Sequence, residues 1–271
     1  MTHIAETFRA LHVPGRPFIL ANVWDAGTAK MLQSLGAQAL ATSSAAHAYV
    51  LGRPDGGTLT RDEALSHAED IVRATNLPVQ GDFENGFGDD PETCAETVRL
   101  AAEVGLAGIC IEDTALPAQT PYDAKLSVER IRAAAAAAKA LPHDFVLTAR
   151  ADGIMTGGYD IDEAIARCTA FADAGADAVY APLPNSMDDL AKLCAAVPVP
   201  VNALVAGRYT AQTLAEFADA GVARLSLGSA LARTVHKTIY DAATEMFEKG
   251  TFTRLGKGIS GDIVDGLLQK E

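Results

Sequence analysis

The chain has 271 residues, 49% hydrophobic and 21% charged, which suits a large buried core and argues against disorder. Its formal charge of −13, from 22 Lys and Arg against 35 Asp and Glu, argues against a nucleic-acid partner, and no Lys/Arg-rich run, helix–turn–helix or zinc-finger spacing offsets it. Cys94, Cys110, Cys168 and Cys194 form no CxxC pair and read as free thiols. No apolar stretch approaches the roughly 20 residues a membrane span needs, and Met1–Arg16 lacks a signal peptide's apolar run, so a cytoplasmic location is expected.

In chain order, one unit recurs: a helix closed by glycine, then a short apolar strand. Ser34-Leu35-Gly36-Ala37 leads into Leu40-Ala41-Thr42, and Glu103-Val104-Gly105-Leu106 into Ile109-Cys110-Ile111. Asp173-Ala174-Gly175-Ala176 precedes Ala178-Val179-Tyr180, and Asp219-Ala220-Gly221-Val222 precedes Leu225-Ser226-Leu227. Glycine tolerates the left-handed conformation that ends a helix, so each is a plausible C-cap. Four further apolar strands begin at or just after a proline: Phe18–Asn22, Pro78–Asp82, Phe145–Arg150 and Pro200–Asn202. Eight evenly spaced strands alternating with helices, and no linker, predict one (β/α)₈ barrel over residues 1–271; a doubly wound open sheet is the structural runner-up. The alanine tract Ala133–Ala138 reads as a helix that is exposed or lightly packed. From about Arg233 a C-terminal helical extension is expected, with an amphipathic helix to Lys249 and a last short helix near Ile263–Gln269.

A barrel does its chemistry at the carboxyl ends of its strands. There the sequence places Asn22 with Asp25, Thr42-Ser43-Ser44, Asp82 with Glu84, Glu112-Asp113, Arg150 with Asp152, and Asn202, and Asp55 follows strand 2. Carboxylates crowded on one rim repel unless protons or a cation offset them, and a hard divalent ion that retains waters suits such a ring. Arg150 offers a fixed fork of donors to a substrate carboxylate. Each residue also has a plain structural reading. Asp82–Gly86 can be only a turn with Asn-Gly at positive φ, Arg150 can pair with Asp152 or Glu112, Ser43-Ser44 can cap a helix, Asn202 can bond to backbone, and His47 can be packing. Their joint placement on one face favours a site for an anionic, oxygen-rich molecule.

These motifs resemble the isocitrate lyase / phosphoenolpyruvate mutase superfamily. The carriers are Asn22-Val23-Trp24-Asp25-Ala26-Gly27, Thr42-Ser43-Ser44, Leu51-Gly52-Arg53-Pro54-Asp55, Gly81–Gly88, Ile111-Glu112-Asp113 and Thr148-Ala149-Arg150, in order along nearly the whole barrel. The resemblance implies Mg²⁺ (or Mn²⁺) ligated directly by Asp82, with Asp55, Glu84 and Glu112 acting through its waters. It implies that Ser43 and Ser44 receive a substrate carboxylate and that Arg150 steadies the charged end. The residue set so implied is Asp82, Glu84 and Glu112 at the metal; Trp24, Ser43, Ser44, Asp82, Arg150 and Asn202 at the substrate; and Asp55, Glu112 and Arg150 at the chemistry.

The departures are as informative. The superfamily's isocitrate and methylisocitrate lyases carry a Lys-Lys/Arg-Cys-Gly-His run, absent here, and its phosphonate enzymes carry two loop lysines where Thr114 and Ala118 stand. The expected activity is therefore a Mg²⁺-dependent lyase that cleaves or decarboxylates a small 2-oxo or 2-hydroxy di- or tricarboxylate through an enolate. The alternatives are phosphonopyruvate-type P–C chemistry or a non-catalytic 2-oxo-acid-binding protein. No cysteine is assigned to catalysis. The segment Thr114–Ser127, with Pro117 and Pro121, is expected to be a mobile lid without structure of its own. The resemblance also implies a homo-oligomer, dimer or tetramer, joined through the C-terminal helices.

Overall fold

The computed structural model describes residues 2–269. Among the described residues ten strands occur, eight of them in one parallel closed barrel: β1 (Phe18–Asn22), β2 (Ala39–Ala41), β3 (Val79–Asp82), β4 (Gly108–Glu112), β7 (Val146–Arg150), β8 (Ala178–Tyr180), β9 (Val201–Leu204) and β10 (Arg224–Ser226). The ring closes through Phe18 beside Arg224, so the open-sheet alternative does not apply. The remaining pair, β5 (Thr114–Ala115) and β6 (Thr120–Pro121), forms a small antiparallel hairpin over the mouth. This corrects the expectation of an unstructured Thr114–Ser127 segment. The hairpin is seated on the turn after the helix Ser44–Val50, where a Cβ added to Gly57 would meet Leu116 Cβ at 2.9 Å.

Helices cover the strands outside, and the helix Thr2–Leu11 closes the barrel's amino end with Phe8, packed among Phe18, Ala39, Ala107 and Val146 at the strand starts. The alanine tract is not lightly packed. In the helix Ala124–Lys139, Ala134, Ala137 and Ala138 are buried, and their small side chains let it lie against the helix Pro91–Glu103.

The barrel's centre is polar. Arg224, fully buried, donates from Nε to Asn202 Oδ1 (2.8 Å) and from Nη1 to Gln80 Oε1 (2.5 Å). Gln80 donates in turn to Thr148 Oγ1 (3.2 Å), and Asn202 to Ser226 Oγ (2.8 Å). With no carboxylate among these partners, burial lowers the Arg224 pKa to about 10. Its Nη1 also meets His12 Nε2 at 3.1 Å, while His12 Nδ1 meets Phe8 O at 2.8 Å. A carbonyl only accepts, so the proton sits on Nδ1 and Nε2 accepts from the arginine.

Beyond the barrel, the helix Ala230–Thr244 and its continuation to Lys249 turn Val235, Ile239 and Phe247 outward, the last 85% exposed. Phe252, Leu255 and Ile259 beyond it are also exposed. The last helix spans Gly261–Gln269 and lies against the helix Ala26–Ser34. Among the described residues no helix is long and apolar enough to cross a membrane.

Burial, with the Arg224 charge beside it, pushes His12 down to about 3 from an ordinary 6.5. A depressed folded pKa gives stability that is present above the unfolded value and lost as pH falls, because the unfolded chain takes up the proton first. Between about pH 6.5 and 3, His12 should therefore cost about 1.4 kcal/mol of stability per pH unit of acidification. Urea titrations across this range should give a shallower slope for His12→Gln; equal slopes would remove His12 from the account.

Candidate active site

A cleft of about 380 Å³ opens at the carboxyl ends of the strands. Into it face Asp55, Asp82, Glu84, Glu112 and Asp152, with Ser43, Ser44, Thr114, Arg150, Tyr180 and Arg233. A larger groove of about 1080 Å³ lies alongside and shares Glu84 and Leu116, but it lacks Asp82, Glu112 and Arg150. Convergent charged groups mark a site better than volume does, so the smaller cleft is the candidate.

Backbone geometry aims the acids. Asp82 ends β3, where its Oδ2 accepts from both the amide and the hydroxyl of Ser44 at 2.9 Å. Glu84 follows with φ of 46°, a left-handed conformation costly for a non-glycine residue, and its Oε1 accepts from Gly57 N at 3.1 Å. The Asn-Gly reading of this turn is half correct: positive φ falls on Glu84, Gly86 and Phe87, and not on Asn85. Gly86 also sits where a Cβ would meet Cys94 Sγ at 3.0 Å.

Arg130 holds the turn in place. From the alanine-rich helix its buried guanidinium donates to Asn85 O, to Gly88 O (3.0 Å) and to Glu112 O (3.3 Å), and it lies over the Tyr122 ring at 4.2 Å. Tyr122 in turn accepts from Asn85 Nδ2 (2.8 Å) and donates to Asp89 (2.5 Å), so it supports the rim from below. The sequence analysis passed over Arg130 because an arginine in a helix gives no sign of which carbonyls it reaches.

Arg150 lies between two carboxylates, with Nε 2.6 Å from Asp152 Oδ1 and Nη1 3.2 Å from Glu112 Oε2. Burial opposes its charge, but Asp152 and Glu112 more than offset this and keep it protonated. Burial, reinforced by Asp152, Asp82 and Glu84, outweighs Arg150 and raises the Glu112 carboxyl well above the usual range. Glu84 is pushed up to about 7, mainly by burial, with Asp82 and Asp55 adding to it. Asp55 is raised by desolvation on its cleft side and by Asp82. The five acids thus outnumber the cleft's two arginines, Arg150 and Arg233, and only Glu112 and Asp152 are ion-paired there.

Other expected residues are placed differently. Asn202 does not reach the cleft; Arg224 and Ser226 occupy its amide, and it lines a small inner cavity of about 50 Å³ that adjoins the cleft at Asp82, Arg150 and Tyr180. Trp24 is half-buried and lines neither cavity; its carbonyl accepts from His67, which stacks on His47 at 3.8 Å. Ser43 lines the cleft, but its hydroxyl caps the helix Ser44–Val50 at Ala46 N. Asp25 caps the helix Ala26–Ser34, and Asn22 is held by Thr42 O and the Leu227 and Gly228 amides. Asp113 points inward to Arg167, Tyr159 and Asp152 N. Asp82, Glu84 and Glu112 do not meet as a direct ligand set, since each is held by a different partner, and no such group of three occurs among the described residues.

No thiol lines the cleft. Cys94, Cys110 and Cys168 are buried, and burial pushes Cys110 and Cys194 up to about 12, away from the reactive thiolate.

The family model for phosphoenolpyruvate phosphomutase matches residues 8–247. The chain belongs to the isocitrate lyase / phosphoenolpyruvate mutase superfamily. A crystal structure of a candidate lyase/mutase from Burkholderia cenocepacia J2315 is 47% identical with a TM-score of 0.94, over 99% of this chain and 96% of that one. Oxaloacetate decarboxylase 2 of Pseudomonas fluorescens is 31% identical over 83% of this chain and 78% of its own. The 2,3-dimethylmalate lyase of Eubacterium barkeri is 31% identical over 72% of this chain and 68% of its own. The chain is an enzyme of the superfamily's lyase type.

Arg130→Met should leave the three carbonyls without their donor, at a cost on the order of 3 kcal/mol. Chemical denaturation should show that loss for Arg130→Met and little change for Arg132→Met, whose arginine makes only an exposed pair with Glu129. Equal stability of the two variants would contradict the role given to Arg130.

Proposed function

We infer that this cleft binds a small 2-oxo diacid together with a divalent cation, Mg²⁺ or Mn²⁺, and cleaves the carbon–carbon bond one atom beyond the 2-oxo carbon, so that the electron pair is left as an enolate. The observation that carries this reading is the undercompensated ring of carboxylates converging on a cleft that also holds Arg150. The donor set is all hard oxygen, which fits Mg²⁺, and its separated members fit an ion that keeps most of its waters. Asp82 is the residue for direct ligation, with Asp55, Glu84 and Glu112 arranged to accept from bound waters.

When bound, such a cation supplies Lewis-acid stabilisation of the negative charge that develops on the 2-oxo oxygen. Ser44 holds Asp82 in place through two hydrogen bonds. Arg150, fixed by Asp152 and Glu112 and 5.5 Å from the Tyr180 ring centre, presents its remaining donors to the substrate. The hairpin brings Thr114, Leu116 and Gln119 over the cleft and excludes water without offering an acid or base. The bond-breaking step of CO₂ loss from a 2-oxo diacid requires neither, and the enolate it leaves takes its proton from water once the product is exposed, whereas a retro-aldol cleavage requires a base to break the bond at all. Decarboxylation or a related cleavage of a four-carbon diacid is therefore favoured over P–C chemistry, for which the hairpin carries no lysine. Two relatives, an oxaloacetate decarboxylase and a 2,3-dimethylmalate lyase, are named for diacids of that backbone.

Assayed side by side with Mg²⁺, the protein should release pyruvate or CO₂ from 2-oxo diacids faster than phosphate-type products from phosphonopyruvate or phosphoenolpyruvate; the reverse order would reject this reading. Asp82→Ala should remain folded, because losing one charge relieves repulsion from Asp55 and Glu84, yet Mg²⁺-dependent ligand binding should disappear from calorimetry.

The outward apolar row Val235, Ile239 and Phe247 supports a homo-oligomer built through the C-terminal helices. Light scattering at micromolar concentration should find a dimer or tetramer, and Ile239→Glu with Phe247→Glu should dissociate it. A monomeric wild type would remove that part of the reading.

A further inference from the structure

Among the described residues, two side chains that line the cleft, those of Thr114 and Arg233, have no hydrogen-bond or ion-pair partner. Thr114 is 1% exposed, yet among the described residues its Oγ1 makes no hydrogen bond. A buried hydroxyl without a partner forfeits roughly 1–3 kcal/mol, so a ligand that supplies one gains from it. Arg233, in the first turn of the helix Ala230–Thr244, also lines the cleft. Its guanidinium, exposed at the edge of the cleft, meets no carboxylate among the described residues, whereas Arg150 is held between Glu112 and Asp152.

Their positions are complementary. In the barrel order β1-β10-β9-β8-β7-β4-β3-β2, Thr114 follows β4, beside the acids of β3 and β4, and Arg233 follows β10, four places around the ring. One wall of the cleft is therefore acidic and the opposite wall cationic. An elongated anion with two charged ends fits such a field, its chelating end on the acidic wall through the cation and its free end on the arginine.

We propose that the substrate is a dicarboxylate lying across the barrel mouth, with its remote carboxylate paired to Arg233 and the Thr114 hydroxyl donating to an oxygen of its chelating end. This rests on the reading of the site as one for a 2-oxo acid and a divalent cation, and it adds the group that separates diacids from monoacids. Arg233 is thus the specificity determinant, and it touches the part of the substrate farthest from the acidic wall. A methionine there keeps the aliphatic stem and removes the charge.

The test is calorimetry on the full chain with Mg²⁺, using oxalate as a probe of the chelating end alone and malate as a four-carbon diacid. Arg233→Met should weaken malate about tenfold or more, the order expected for one lost charged hydrogen bond, and leave oxalate unchanged. Thr114→Val should weaken both probes. Equal effects of Arg233→Met on the two, no effect on either, or failure of wild type to bind malate while binding oxalate would each overturn the proposal. Tighter binding of phosphonopyruvate than of malate to wild type would also overturn it, by assigning the remote group as a phosphonate. If wild type binds no oxalate with Mg²⁺, the underlying reading of the site fails, and this inference fails with it.

Discussion

Repulsion among carboxylates crowded at one barrel mouth is the constraint around which this protein is organised. Asp55, Asp82, Glu84, Glu112 and Asp152 share a cleft with a single centrally held arginine, and burial raises several of them above their ordinary range. An arrangement that opposes its own charge persists only if the backbone beneath it is held firmly. The left-handed Glu84 is one sign of that cost, and the donors from Ser44 and Gly57 and the Arg130 guanidinium are what hold it. The ring's carboxyl groups are thus aimed into the cleft by the protein itself.

Buried arginines have three separate uses here. Arg224 crosses the barrel's centre and bonds to neutral oxygens from different strands, fixing their register at the cost of a desolvated charge. Arg130 and Arg167 do similar work just under the rim, the first on carbonyls and the second on Asp113, Tyr122 O and Ser127. Only Arg150 reaches the cleft from within, and its two carboxylate partners fix its orientation toward a ligand. A planar fork that stays charged suits all three uses, and lysine would match none of them.

The departures from the better-known loop motifs fit this arrangement. Where the superfamily's phosphonate enzymes put lysine, Thr114 presents a neutral hydroxyl, and the rest of the hairpin contributes bulk and backbone more than charge. Chemistry that requires only charge stabilisation and exclusion of water is compatible with so plain a cover. The positive charge in the cleft comes instead from Arg150 and from Arg233 on the far wall.

Much of this was legible in the sequence for a physical reason. Strand period, proline and glycine punctuation and the order of polar residues at strand ends are local properties, and they were enough to give eight strands, the barrel, the superfamily and the acids Asp55, Asp82, Glu84 and Glu112 with Arg150. Which side chains are spent on holding the ring together is not local. Asn202 was expected at the substrate, but closing the barrel set Arg224 beside it, and Trp24 turned its carbonyl to a histidine 43 residues away. Conversely, Arg130 and Arg233 look ordinary along the chain, and Thr114 was noticed only for the lysine it replaces. Only the tertiary structure set the first against the rim's carbonyls and left the other two facing an acidic cleft unpaired, because a group's partners depend on what the closed ring brings within about 3 Å of it.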